Sequence, residues 1–128
     1  MSATTQYTIL INQPKLDLAS YQGSLLFLFQ VNLHIIQTQE TRIPNILGSC
    51  IYKPDDFGND QWINILELSK RKVGDCEDIA CGVAAQMLLH DNVDCEPYVY
   101  QSSEVDFHVV IKTKLHGLFD PCKLMGMR

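Results

Sequence analysis

The chain lacks an excess of positive charge. It carries 10 Lys and Arg against 15 Asp and Glu, a net charge of −5 with histidine neutral. Proteins that bind nucleic acid usually present a basic patch or stripe. The only basic cluster, 70–72, is typical of a solvated turn. The composition therefore argues against a nucleic-acid partner.

Long hydrophobic runs and a secretory leader are also missing. The most apolar stretch, Leu25–Ile36 (LLFLFQVNLHII), is shorter than the ~20 residues that cross a bilayer. It also contains Gln30, Asn32 and His34, so we interpret it as part of a buried helix and expect no membrane partner. The opening MSATTQYTIL has no basic region of the kind that begins a signal peptide.

The five cysteines are an odd number and include no C-x₂-C pair. With no leader, this favours reduced thiols and a cytoplasmic setting over a disulfide framework. Cys81 and Cys95 are interpreted as small core residues. A zinc site drawn from Cys76, Cys81, Cys95, Cys122 and His108 would lack the usual ligand spacing. We therefore expect no metal and no cofactor.

The segment 42–62 (RIPNILGSCIYKPDDFGNDQW) is rich in Pro, Gly, Asn and Asp, which predicts a loop. Asp55, Asp56 and Asp60 lie within it. Because their spacing does not match an EF-hand, we interpret them as a solvated loop rather than a calcium site.

The remaining pattern predicts one α+β domain over residues 1–128, without repeats or linkers. Helical spacing and length predict a helix over about Leu16–Thr38, although Phe29 to Ile35 also alternate like a strand. A short strand is expected at Thr8–Ile11 and a helical turn at Asn64–Lys70. A buried helix should run from Asp75 to about Leu89 and end near Asn92.

An antiparallel hairpin completes the predicted fold. EPYVYQ (96–101) and DFHVVIKT (106–113) are predicted strands, a turn follows at His116–Gly117, and LFD (118–120) is a short last strand. Alternation places two sets of side chains on opposite faces of the second strand: Phe107, Val109 and Ile111 on one, and His108, Val110 and Lys112 on the other. Helices followed by a hairpin define an α+β class.

The stretch KVGDCEDIACG (72–82) places three carboxylates around Cys76. Asp75 fits the N-cap of the buried helix, and Asp78 fits the acidic position of a capping box. Cys76 would then be the first helical residue, and Glu77 should point to solvent. A helix start lowers a thiol pKa and offers N–H groups to an oxyanion, but the carboxylates oppose thiolate formation. A cationic partner is needed.

His108 is the histidine best placed to be that partner. His90 lies at the far end of the same helix, ~21 Å away at the usual rise, while His34 is interpreted as a packing residue and His116 as a solvated turn residue. A lone strand histidine is more often structural. However, Asp120 falls on the next strand nearly opposite His108, within a register error of a residue or two, and could orient the imidazole.

Three blocks in order, VGDCEDIA, FHVVI and FDPCKLMGM, resemble the transglutaminase-like cysteine-protease superfamily, and most closely its small phage and prophage members. The likeness covers Gln61 to Met127, about half the chain. It implies a papain-like α+β core in which Cys76 is the nucleophile, His108 the general base and acid, and Asp120 the orienting carboxylate. Trp62 resembles a tryptophan that often precedes the cysteine, where it would pack over the site or shape the acyl pocket.

The chain departs from that family at Cys122, which stands where Ser more often follows DP, and at Cys81, one helical turn beyond the nucleophile. The predicted function is a cysteine peptidase or amidase that acts on a peptide or protein substrate through a thioester acyl-enzyme. Two alternatives stay open: an acyl-transferring transglutaminase, and a phage-type structural or partner-binding protein with a silent triad. Oligomeric state and substrate identity are not predicted.

Overall fold

The structure is a computed structural model that describes residues 9–11, 17–54, 60–103 and 106–126. Strand β1 (Ile9–Ile11) is followed by helix α1 (Leu18–Thr38). The α1 N-cap is Asp17, whose Oδ1 accepts the Ser20 N–H at 2.8 Å. Both elements confirm the sequence prediction, apart from Thr8 and Leu16, which lie outside the described residues. Within the described chain, no helix has the length and apolarity needed to cross a membrane.

The predicted loop at 42–62 is wrong in three places. It contains the single turn α2 (Ile46–Ser49) and the strands β2 (Ile51–Tyr52) and β3 (Asp60–Trp62). These elements have partners far along the chain: β3 pairs antiparallel with β1, and α2 is held by the Gln86 side chain, whose Oε1 accepts the Ile46 N–H at 2.8 Å. Local composition does not reveal such partners. The interpretation of Asp55 and Asp56 lies outside the described residues.

The short helix α3 (Ile65–Arg71) confirms the predicted turn. The Asn64 side chain caps it by accepting the Glu67 N–H at 3.0 Å. Lys72 ends it in the left-handed conformation with φ 64°. Strand β4 (Val73–Gly74) follows and pairs in parallel with β2.

Helix α4 (Cys76–His90) is the buried helix expected from the sequence. Ile79 to Gln86 are all buried, and α4 contacts α1 on one side and the following strands on the other. Asn92 adopts φ 55° just beyond the C-cap, as predicted.

Strands β5 (Cys95–Gln101), β6 (Phe107–Thr113) and β7 (Gly117–Phe119) form one antiparallel sheet in the order β5-β6-β7. With the helices packed on it, the sheet confirms the α+β class. The Gln22 side chain covers the outer edge of β5: its Nε2 donates to Pro97 O at 2.8 Å and its Oε1 accepts the Val99 N–H at 2.9 Å. This covered edge cannot pair with another strand there.

Helix α5 (Pro121–Leu124) was not predicted. It is only four residues long, with Pro121 at its start and Asp120 as N-cap, so its sequence fits a turn equally well. On β6, Val110 shares a face with His108 but is only 3% exposed. Helix α5 contacts β6.

Candidate active site

The start of α4 has the predicted capping arrangement. Asp75 Oδ1 accepts the Cys76 N–H at 2.7 Å, and Asp78 Oδ2 accepts the Asp75 N–H at 3.2 Å, so both halves of a capping box are present. Asp78 Oδ1 also accepts the Ile63 N–H at 2.9 Å. This buried carboxylate therefore ties the helix start to the chain just after β3.

Gly74 is required where β4 approaches this helix start. A Cβ atom at Gly74 would lie 2.6 Å from Leu68 Cδ1 and 3.3 Å from Asp78 Cβ. Contacts that short force the neighbouring atoms to move. The glycine therefore allows β4 to pass close to α3 and to the carboxylate that caps α4.

Cys76 occupies the first position of α4 and is half-buried. Its Sγ donates to Glu77 Oε2 at 3.1 Å. The prediction that Glu77 points to solvent is wrong: its side chain is only 3% exposed, because it folds back against the thiol within the buried first turn. Burial, and then the negative charges of Glu77 and Asp75, raise the pKa of the Cys76 thiol.

Glu77 is itself perturbed by its surroundings. Burial raises the pKa of its carboxyl well above the usual value, and the nearby Asp75 and Asp78 charges add to the effect. In this arrangement, the thiol keeps its proton and shares it with a carboxyl group. The helix start alone does not supply a thiolate.

The hairpin end brings His108 and Asp120 together. His108 Nε2 lies 2.6 Å from Asp120 Oδ2, and the two side chains are 12% and 16% exposed. Because Ile111 pairs with Phe119, Asp120 follows opposite Val110, two residues from the position opposite His108. The contact is therefore a diagonal one, within the register error that the sequence allowed.

Tyr100 helps to fix the imidazole. It lies directly opposite His108 on β5, and the two rings meet edge to face with centroids 5.6 Å apart. His108 is thus held by a carboxylate on one side and an aromatic ring on another.

Helix α5 links the two halves of the site through Cys122. The Cys122 N–H donates to Asp120 Oδ1 at 3.1 Å, and its Sγ lies 4.0 Å from the Cys76 carbonyl oxygen. Across the described chain, no hydrogen bond joins the Cys76 sulfur to the His108 ring; the thiol contacts Glu77 instead. The three predicted triad residues therefore belong to one connected cluster in which only the last two touch.

Trp62 is a packing residue in this structure. It is 1% exposed in β3, and its ring lies 5.1 Å from that of Tyr21. Tyr21 lies in turn 5.5 Å from Phe107, the residue before His108. This aromatic group supports the strand that carries the histidine. Trp62 has almost no surface with which to contact a substrate.

Tyr52 was missed because its strand lies in the segment predicted as a loop. Its N–H donates to Met125 O at 2.8 Å, and it pairs with Gly74, so its backbone is held by the elements on both sides of the site. Burial, and then the charge of Asp75, raises the pKa of its hydroxyl. Tyr52 therefore remains a protonated donor, on a strand that pairs with Gly74 two residues before Cys76.

Some of these side chains could also hold a metal ion. Ligand atoms of Asp75, Cys76 and Glu77 lie within 4.8 Å of one another. By contrast, the zinc ligands considered from the sequence are dispersed: the Cys81 thiol donates to Leu25 O and the Cys95 thiol to Ala84 O, in separate parts of the core.

All five cysteines are free thiols, in keeping with the reduced state expected from the sequence. The likeness to transglutaminase-like proteases depends on three short blocks and stays a prediction. Comparisons with protein-family models, with curated proteins and with solved structures found no match to this chain.

Proposed function

We propose that this chain is a thiol-dependent amide-bond hydrolase, a cysteine peptidase or amidase with Cys76 as nucleophile. The observation that carries the proposal is the 2.6 Å contact between His108 Nε2 and Asp120 Oδ2. A half-buried imidazole paired with a carboxylate, together with a thiol at a helix start, has the composition of a nucleophilic triad.

The pairing also determines which ring nitrogen acts. Asp120 accepts a hydrogen bond, so Nε2 carries a proton and the lone pair lies on Nδ1. No hydrogen bond within the described residues engages Nδ1. It is therefore the atom that exchanges a proton with Cys76.

The proposed reaction begins when the Cys76 side chain turns from Glu77 towards His108. The sulfur passes its proton to Nδ1 and attacks the substrate carbonyl carbon, and the resulting tetrahedral intermediate expels an amine that takes the proton from His108. His108 then removes a proton from water, which attacks the thioester. The carboxylic acid leaves and the thiol is restored.

The oxyanion of the tetrahedral intermediate needs a hydrogen-bond donor other than the Cys76 N–H at the start of α4. The Cys76 N–H is already engaged by Asp75 Oδ1 at 2.7 Å. Tyr52 supplies a protonated hydroxyl near the same sulfur, and we propose that it donates to the oxyanion.

The order of the parts supports a papain-like core of the transglutaminase-like type. The nucleophile begins the buried helix α4, which packs on the antiparallel sheet that carries the histidine, and the aspartate follows on the next strand. A peptide or protein is the proposed substrate, because the reaction is amide cleavage.

Iodoacetamide labelling of the five thiols tests the proposal. At neutral pH, Cys76 should be alkylated fastest, with Cys81 and Cys122 as buried internal controls. Cys76→Ala should remove activity and labelling by acyl probes while leaving the far-UV circular dichroism unchanged. Labelling of Cys76 no faster than that of Cys81 or Cys122 would refute the proposal.

A second candidate function is a partner-binding scaffold with a silent triad. The observation that favours it is the 3.1 Å bond from the Cys76 thiol to Glu77, which leaves the sulfur protonated and out of contact with His108. This alternative predicts that Cys76→Ala destabilises the fold and that no acyl probe labels the wild type.

A further inference from the structure

The Cys122 thiol differs from the other thiols in what it faces. Cys50, Cys81 and Cys95 each donate to a carbonyl of a distant apolar residue, at 3.7, 3.4 and 3.4 Å. The Cys122 thiol is instead directed at Cys76, with its Sγ 4.0 Å from the Cys76 carbonyl oxygen. These two residues are the one pair among the five cysteines whose contact the structure records.

The position of Cys122 in α5 connects the nucleophile to the orienting carboxylate. Its backbone N–H is bound by Asp120, and its side chain is fully buried against α4. Cys76, in contrast, is half-buried. A small oxidant therefore has more access to Cys76 than to Cys122.

We propose that Cys76 and Cys122 form a reversible disulfide when a peroxide oxidises Cys76, and that this bond switches the site off. Its effect on catalysis rests on the function proposed above, since the bond would occupy the nucleophile. The bond itself can be measured without any substrate.

The chemistry takes place in two steps with hydrogen peroxide as the oxidant. The Cys76 sulfur attacks one peroxide oxygen, an S–O bond forms, the O–O bond breaks, and the departing hydroxide takes up the thiol proton as water. The Cys122 sulfur then attacks the Cys76 sulfur, an S–S bond forms, the S–O bond breaks, and the hydroxide leaves with the Cys122 proton as a second water. The two sulfurs lose two electrons in total, and the peroxide gains them. A dithiol reverses the reaction by exchange.

Formation of the disulfide requires the Cys76 side chain to change its orientation. The sulfurs of a disulfide lie about 2 Å apart, so the Cys76 side chain must leave Glu77 Oε2 and turn towards α5. The proposed catalytic cycle already requires this side chain to leave Glu77.

Peptide mapping after oxidation tests the proposal. The full chain is treated with hydrogen peroxide, and the remaining thiols are blocked with N-ethylmaleimide. The protein is then digested with trypsin and with a protease that cleaves before aspartate, because trypsin has no site between Cys76 and Cys81 and a cut before Asp78 separates them. The expected result is a Cys76–Cys122 cross-linked peptide that dithiothreitol removes.

Variants sharpen the test. Cys122→Ser should give no cross-link and should instead accumulate sulfinic acid on Cys76, whereas the matched control Cys95→Ser should cross-link like the wild type. The inference would be overturned if peroxide converted Cys76 of the wild type to sulfinic acid while Cys122 could still be alkylated after denaturation. A cross-link in a protein without hydrolase activity would support the disulfide and refute the proposed function. Hydrolase activity without a cross-link would refute the disulfide alone.

Discussion

The two halves of the candidate site use the same residue type in opposite ways. At the start of α4, the side chains of Asp75 and Asp78 accept backbone N–H groups of the helix cap, and burial together with Glu77 and Asp75 raises the pKa of the neighbouring Cys76 thiol. At the hairpin end, Asp120 Oδ2 lies 2.6 Å from His108 Nε2, on another strand. Carboxylates therefore oppose ionisation of a thiol in one half of the site and contact an imidazole in the other.

The difference also concerns distance along the chain. The capping bonds of Asp75 and Asp78 span at most three residues, so the helix cap is built by its own sequence, although Asp78 also accepts the distant Ile63 N–H. The His108–Asp120 pair depends on strand register, and its contact with Cys76 depends on α5. The first half should therefore tolerate catalytic substitutions in the second without losing its structure.

The largest expected effect comes from His108→Ala. Without its base, hydrolysis should fall about 10³-fold, within the range for loss of general acid–base catalysis. Turnover of an amide substrate measures this. His34→Ala is the matched control, because the structure shows His34 exposed on α1 and the interpretation of it as a packing residue is wrong. Equal activity in the two variants would show that His108 does not take part in hydrolysis.

Asp120→Asn should have a smaller effect of about 10²-fold on the same rate. Asparagine can still cap α5, so the helix should persist, but the negative charge that favours the imidazolium is lost. The exposed Asp91→Asn is the control. A variant that melts with wild-type midpoint yet keeps full turnover would show that Asp120 only caps the helix.

Gly74→Ala should destabilise the fold by about 1–3 kcal/mol, because the new methyl group would overlap Leu68 Cδ1. Gly23→Ala is the opposite case. Its Cβ would meet nothing within 4 Å in α1, so stability should rise by about 0.5–1 kcal/mol. Urea unfolding of both variants measures the difference, and equal free energies of unfolding would contradict the close approach of β4 to α3.

The smallest expected effect is the pH dependence of Glu77→Gln. The folded pKa of Glu77 is raised above its unfolded value, so its stabilising contribution is complete below the unfolded pKa and is lost as pH rises through the folded pKa. The neutral Gln variant should therefore gain stability relative to wild type as the pH rises from 4 to 7. The exposed Glu40→Gln serves as control in thermal melts at both pH values. A constant difference between wild type and Gln variant would show that Glu77 ionises normally.

The sequence predicts the parts of this molecule that depend on near neighbours. The capping box at Asp75 and Asp78, the buried run of α4 and the left-handed Asn92 all follow from local patterns. The elements it misses, β2, β3 and α5, are short and are fixed by partners elsewhere, such as Met125 O for the Tyr52 N–H.

The same contrast applies within the candidate site. The hairpin pattern places His108 near Asp120, because strand alternation and a short turn restrict the possible registers. The pattern does not reveal that the Glu77 side chain lies against the thiol. A side chain at the second position of a helix can face either solvent or a buried neighbour. Side-chain direction at a helix start is decided by what packs around it in the folded chain.

The central claim is that His108, held by Asp120, activates Cys76. The most direct measurement is the rate of Cys76 alkylation by iodoacetamide as a function of pH, in the wild type and in His108→Ala. The account predicts a wild-type inflection below the value of about 8.5 for free cysteine and an upward shift in the variant. An inflection above that value, unchanged by the substitution, would mean that Glu77 alone controls the thiol and would contradict the account.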